Sequence, residues 1–225
     1  MPGRGTARGL ASAVAAIGAG VVAAAMVGCA AAGPGATDAP TAIAPIADAP
    51  SFAAVGDSIT DANSADFAAG DLGSESWATY VVDDGFALAG GWAEWGATTE
   101  RMAASVLPVD ADALVVLAGT NDVALGVPFA TSAANLGAIV DTVGISDVLV
   151  VSIPPLELAP GEAEAYNLAL EELAVDRGWR FVDASAGLRT SDGAFRDGMS
   201  FDGVHPSARG AEVLGATIAE ALREE

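Results

Sequence analysis

The chain has 225 residues, 52% of them hydrophobic and 17% charged, with 9 Lys+Arg against 30 Asp+Glu and a formal net charge of -21. That length suits one domain plus a tail, and an interior of that size needs no disulfide staples. The apolar content excludes a wholly disordered chain, and a single stretch of near-spanning length excludes a polytopic membrane protein. All nine basic residues are Arg, and from Cys29 onward 7 Arg face 30 acids. A surface this negative repels phosphate backbones and anionic headgroups, so nucleic acid is not an expected partner.

Residues 1–28 have the parts of an export signal: Arg4 and Arg8 without an acid, then an apolar run from Leu10 to Val27. The run closes on Met26-Val27-Gly28-Cys29, and Cys29 is the only cysteine. This boundary resembles the lipobox of bacterial lipoproteins, which implies lipidation of Cys29 and a membrane contact made only through the N-terminus. As a helix the 18-residue run rises ~27 Å, so an uncleaved anchor is the competing expectation. Residues 29–50 carry prolines at 34, 40, 45 and 50, a spacing that frustrates helix and strand and predicts a semi-extended linker. The expected folded domain is 51–225.

Within that domain short apolar runs alternate with amphipathic ones. Phe52–Val55, Phe86–Ala89, Ala113–Ala118, Val148–Ile153 and Trp179–Val182 read as strands, and the lack of polar alternation suits burial on both faces of a parallel sheet. Thr99–Val106, Thr131–Val143, Ala163–Asp176 and Pro206–Leu222 read as helices, the last with Pro206 in its first turn. Strand–helix alternation predicts a three-layer α/β domain with a mostly parallel sheet, and ligands in such sheets collect at the carboxyl ends of the strands.

Two of those ends, and the loop before the last helix, carry chemistry. The first strand runs into Gly56-Asp57-Ser58, where a serine at a sharp turn can be a nucleophile or merely cap a helix. The third runs into Gly119-Thr120-Asn121-Asp122, where a side-chain amide can donate to an oxyanion or close an Asx turn. His205 is the only histidine, and so the only candidate general base with a near-neutral ordinary pKa. Asp202, three positions earlier, can reach back to orient it. Trp77, Trp92 and Trp95 are expected mainly as packing residues, with pocket lining as the lesser reading. Asp110 and Asp112 form an Asp-x-Asp pair without the rest of a calcium loop and predict a solvated turn.

Taken in order, Gly56-Asp57-Ser58, a glycine before Ala97-Thr98, Gly119-Thr120-Asn121-Asp122 and Asp202-Gly203-Val204-His205-Pro206 resemble the blocks of the SGNH (GDSL-type) hydrolases, from Phe52 to about Leu222. The resemblance implies a flavodoxin-like α/β/α sandwich and an ester hydrolase without metal or organic cofactor. It makes Ser58 the nucleophile, His205 the base and Asp202 its orienting carboxylate. The backbone N–H groups of Ser58 and Gly96 and the Asn121 amide would form the oxyanion hole, with Asp57 supporting. Ile59 stands where the family name implies Leu, and Gly90 and Gly91 compete with Gly96 for the second block. The expected substrate is a small-molecule or glycan ester with a short acyl group, and the expected location is outside the cell. A non-catalytic glycan-binding lipoprotein on the same scaffold is the alternative. A flavin or nucleotide binder ranks last, for want of a phosphate-cradling loop.

Overall fold

The computed structural model describes residues 49–224, so the signal, the possible lipid site at Cys29 and nearly all of the linker lie outside the described residues. Among the described residues no helix is long and apolar enough to cross a membrane.

Five strands form one sheet: β1 (Ser51–Gly56), β2 (Ala87–Ala93), β3 (Ala113–Leu117), β4 (Val148–Val151) and β5 (Arg180–Val182). Their order is β2-β1-β3-β4-β5, and every pairing is parallel. The side-chain period of two sorts each strand between two cores. Ala53, Val55, Leu114, Val116, Val148 and Val150 face one layer, and Phe52, Ala54, Val115, Leu117, Leu149 and Val151 face the other. Burial on both faces is the reason these strands read as unbroken apolar runs.

The first layer is built from α3 (Thr99–Ala103), α5 (Phe129–Val143) and α6 (Pro160–Arg177), with Met102, Leu136, Ile139, Tyr166 and Leu170 as its buried residues. The second comes from α1 (Ser58–Asp61), α2 (Trp77–Asp83) and α7 (Ala208–Arg223), through Ile59, Trp77, Val81, Leu214 and Ile218. A short α4 (Thr120–Ala124) follows β3, and a 3-10 turn spans Ala184–Gly187. The three-layer α/β/α sandwich is thus present as expected, and Ile59 occupies its place as a buried apolar residue.

Several boundaries differ from expectation by a few residues, and two of the differences have a clear cause. Strand β2 does not stop at Ala89 but runs on through Gly90 and Gly91 to Ala93, paired with β1 across a register shift between Phe52 and Ala53. A Cβ at Gly91 would lie 1.9 Å from the Ala54 carbonyl oxygen, so close backbone approach demands glycine in a strand interior. Pro206 is outside the last helix, bridged to Ser200, and Ser207 is the cap, its hydroxyl accepting from the Gly210 N–H. The side chain of Ser207 satisfies a free N–H of the first turn, a service proline cannot provide. Helices α1, α2 and α4 span four, seven and five residues, too short to show a helical period in sequence.

Candidate active site

At the carboxyl end of β1, Asp57 is the N-cap of α1: its carboxylate accepts from the Ile59 N–H at 2.9 Å. Ser58 is therefore the first helical residue, where a backbone N–H has no partner within the helix. Among the described residues it finds none elsewhere. The Ser58 hydroxyl lies 2.9 Å from His205 Nε2, across 147 positions of sequence.

The His205 loop is built by one carboxylate and one hydroxyl. Asp202 Oδ1 accepts from the N–H groups of Val204 (2.9 Å) and His205 (2.7 Å), while Oδ2 takes the imidazole Nδ1 at 2.7 Å. The Ser200 hydroxyl donates to the His205 carbonyl and accepts from the Gly203 N–H. One carboxylate thus both closes the turn and orients the imidazole. Partial burial works to raise the Asp202 carboxyl, but the bonds from the His205 N–H, its ring and the Val204 N–H outweigh it and hold it below the ordinary range. An ionised Asp202 can only accept, so the ring proton sits on Nδ1 and the Nε2 lone pair faces the Ser58 hydroxyl.

Asn121, half-buried at the start of α4, connects all three strand ends. Its Nδ2 donates to the Ala97 carbonyl at 2.9 Å and, more weakly, to Asp57 Oδ2 at 3.3 Å. The preceding Gly119 has φ 126°, and a Cβ there would lie 2.2 Å from the Tyr166 ring, so only glycine permits this turn. Asp57 is fully buried, and that burial raises its carboxyl from the ordinary 3.8 to about 6, against the lowering effects of the Ile59 N–H and the His205 charge. Of the competing glycines, Gly90 and Gly91 are committed to β2. Gly96 lies in the loop beyond it with φ +72°, and among the described residues its N–H has no acceptor.

Sequence inspection under-read Asp122. It is fully buried and accepts from the Thr99 N–H (2.9 Å), the Thr99 hydroxyl (2.6 Å) and the Ser132 hydroxyl (2.7 Å), which locks α3, α4 and α5 together behind Asn121. Its only sequence signal was adjacency to Asn121. The three tryptophans separate: Trp77 is core, with its Nε1 donating to the Thr60 hydroxyl; Trp92 lies under the Arg101 guanidinium; Trp95 stacks on His205. Asp112 is no free turn residue, since it accepts from both the backbone N–H and the hydroxyl of Ser51 and pins the start of β1.

The cleft beside Ser58 is small, about 10 Å³, and is bordered by Ile59, Ala62, Asn63, Glu75, Trp95 and Phe201. A serine hydroxyl on an oriented imidazole, with its own backbone N–H free, is equipped for nucleophilic attack on a carbonyl.

Comparison with known proteins agrees with that chemistry. The GDSL-like Lipase/Acylhydrolase family matches residues 54–213. Among solved structures, the chain resembles a GDSL-like lipase from Bacteroides thetaiotaomicron (19% identity, 77% of this chain and 88% of that one, TM-score 0.59). It also resembles a member of the lipolytic protein G-D-S-L family from Veillonella parvula (17%, 79% and 100%, 0.61). A third is a catalytic mutant of an acetylxylan esterase from Geobacillus stearothermophilus (19%, 78% and 95%, 0.61). At these identities the structures speak for the shared fold. No curated protein sequence matches the chain. The family match covers most of the chain and contains Ser58, Asn121 and His205, so this protein belongs to the GDSL-like lipase/acylhydrolase family and is a carboxylic ester hydrolase.

Proposed function

We infer that this hydrolase removes small acyl groups, acetyl foremost, from a neutral alcohol such as a carbohydrate hydroxyl, through an acyl-enzyme on Ser58. The observation that carries the reading is the relay from Ser58 Oγ to His205 Nε2 at 2.9 Å and from His205 Nδ1 to Asp202 at 2.7 Å. Ser58 Oγ attacks the ester carbonyl carbon while its proton passes to Nε2. The oxyanion is received by the N–H groups of Ser58 and Gly96 and by the Asn121 amide, whose long bond to Asp57 is the one it gives up. Collapse breaks the bond to the alcohol oxygen, which leaves with the proton from His205. Water, deprotonated by the same imidazole, then attacks the acyl carbon and frees the acid and Ser58.

The small cleft beside Ser58, and the acetylxylan esterase among the similar solved structures, support a short acyl group. The full chain should hydrolyse p-nitrophenyl acetate well ahead of the butyrate, and Ser58→Ala should fall to background. Equal rates from the variant and the parent, both folded, would sink the hydrolase mechanism; a preference for butyrate would sink the acetyl assignment.

The basic head, apolar run and Gly28-Cys29 boundary support export and a lipid attachment at Cys29. Cys29→Ser should move the protein from the membrane fraction to the soluble one, and retention in the membrane would favour the uncleaved anchor.

A further inference from the structure

Among the described residues, two aromatic side chains are largely exposed, Trp95 (48%) and Phe201 (58%), and both stack on the same imidazole. The Trp95 ring centroid is 5.1 Å from that of His205 at 30°, and Phe201 is 5.8 Å away at 10°. Each sits one residue from a group assigned to the reaction, Trp95 before Gly96 and Phe201 before Asp202.

Both rings stand on preorganised loops. Arg101 forks onto Glu94 at 3.0 and 2.7 Å and lies over the Trp92 ring, beside the segment leading into Trp95. Phe201 lies between Ser200 and Asp202, whose side chains close the turn around it. Large apolar rings held rigid and left in water forfeit burial, which is the usual signature of a surface made for a ligand.

We propose that Trp95 and Phe201 form the subsite for the alcohol half of the ester, and that the alcohol it selects is an uncharged saccharide ring. This rests on the hydrolase reading above and names its leaving group. Trp95 and Phe201 border the same cleft as Ser58 and His205, so an ester seated on the nucleophile lies against both rings. A pyranose offers them a face of C–H groups, while its hydroxyls need polar partners at the edge. Asn63 and Glu75 border the same cleft, and their mutual contact is long, 3.3 Å, which leaves amide and carboxylate capacity for hydroxyls. A plain alkyl alcohol has no use for that pair. A phosphorylated or carboxylated alcohol is opposed by Glu75 and by a net charge of -21.

The test compares two acetates that share an acyl group and differ in the alcohol, glucose pentaacetate and ethyl acetate, with released acid titrated at constant pH. For Trp95→Ala and for Phe201→Ala, KM for glucose pentaacetate should rise about tenfold or more, as for loss of an aromatic anchor. The kcat/KM for ethyl acetate should fall severalfold less than that for the sugar ester, and Trp95→Phe should restore most of the sugar-ester affinity. A second readout needs no turnover: in Ser58→Ala, tryptophan fluorescence should respond to glucose pentaacetate, and the response should vanish when Trp95 is also replaced. Equal losses on both esters would make the rings mere supports for the imidazole and overturn the proposal. No change on either ester, or a wild-type preference for dodecyl acetate over the sugar ester, would overturn it too, while leaving ester hydrolysis intact. Failure of the wild type on every acetate would instead overturn the hydrolase reading beneath it.

Discussion

The carboxyl edge of the sheet holds two clefts of opposite character. At the β4–β5 end lies a cavity of about 490 Å³, with Pro154, Pro155, Leu168 and Phe181 among its walls. Several of its polar groups are spent on the fold: Arg189 is paired with Asp183, and the Asn167 amide bonds both ends of Ile153. At the β1–β3 junction the space is some fifty times smaller, yet it holds Ser58 and His205. The sheet order changes direction at β1–β3, since β2 lies on one side of β1 and β3 on the other. Loops leaving adjacent strands there part toward opposite faces, so groups from both can converge on one point. Cavity size follows from how side chains fill a gap; convergence of reactive groups follows from topology.

The comparison breaks most easily on the two clefts themselves. Ser58→Ala and His205→Ala should each reduce p-nitrophenyl acetate turnover on the order of 10⁴-fold or more. Arg189→Ala, in the larger cavity, should leave that rate unchanged. Comparable losses at Arg189 would mean that the two clefts act as one.

Asn121→Ala should lower kcat by about 10²–10³ if its amide serves the oxyanion. A wild-type rate would confine Asn121 to the scaffold, joining Ala97 to Asp57.

Asp57 gives a subtler contrast, visible in stability. Its folded-state pKa is raised from the ordinary 3.8 to about 6, chiefly by burial. A raised value favours folding fully only below the unfolded-state pKa, and that contribution is lost as pH climbs through about 6. A shift of roughly two units corresponds to ~3 kcal/mol. Asn cannot ionise, so the urea-unfolding free energy of wild type minus Asp57→Asn should decline by about that amount between roughly pH 4 and pH 7. A pH-independent difference would refute the burial account.

The smallest effect belongs to the other cleft. Arg189 and Asp183 are each more than a third exposed, and solvent screens such pairs. Breaking this one by Arg189→Ala should cost less than about 1 kcal/mol in thermal or urea unfolding.

The sequence by itself determined the class of the fold and singled out Ser58, His205 and Asp202 as candidates, which the structure brings together. Strands such as Ala113–Leu117 and Val148–Val151 announce themselves because burial on both faces leaves no polar position in the run. A single His, three residues after an Asp, left one candidate for a general base. Side-chain chemistry and local periodicity are properties of the chain, and they survive without coordinates.

Only the tertiary structure decided what depends on distant segments meeting. The extension of β2 through Gly90 and Gly91 is fixed by the backbone of Ala54, which no local pattern announces. Asp122 became the buried lock behind Asn121 because Thr99 and Ser132, on two other helices, bring it three hydrogen bonds. Trp77 and Trp95 look alike in sequence, and one became core while the other became the wall beside His205. Partners far along the chain set those outcomes, because hydrogen bonding and burial reward proximity in space and are indifferent to separation in sequence.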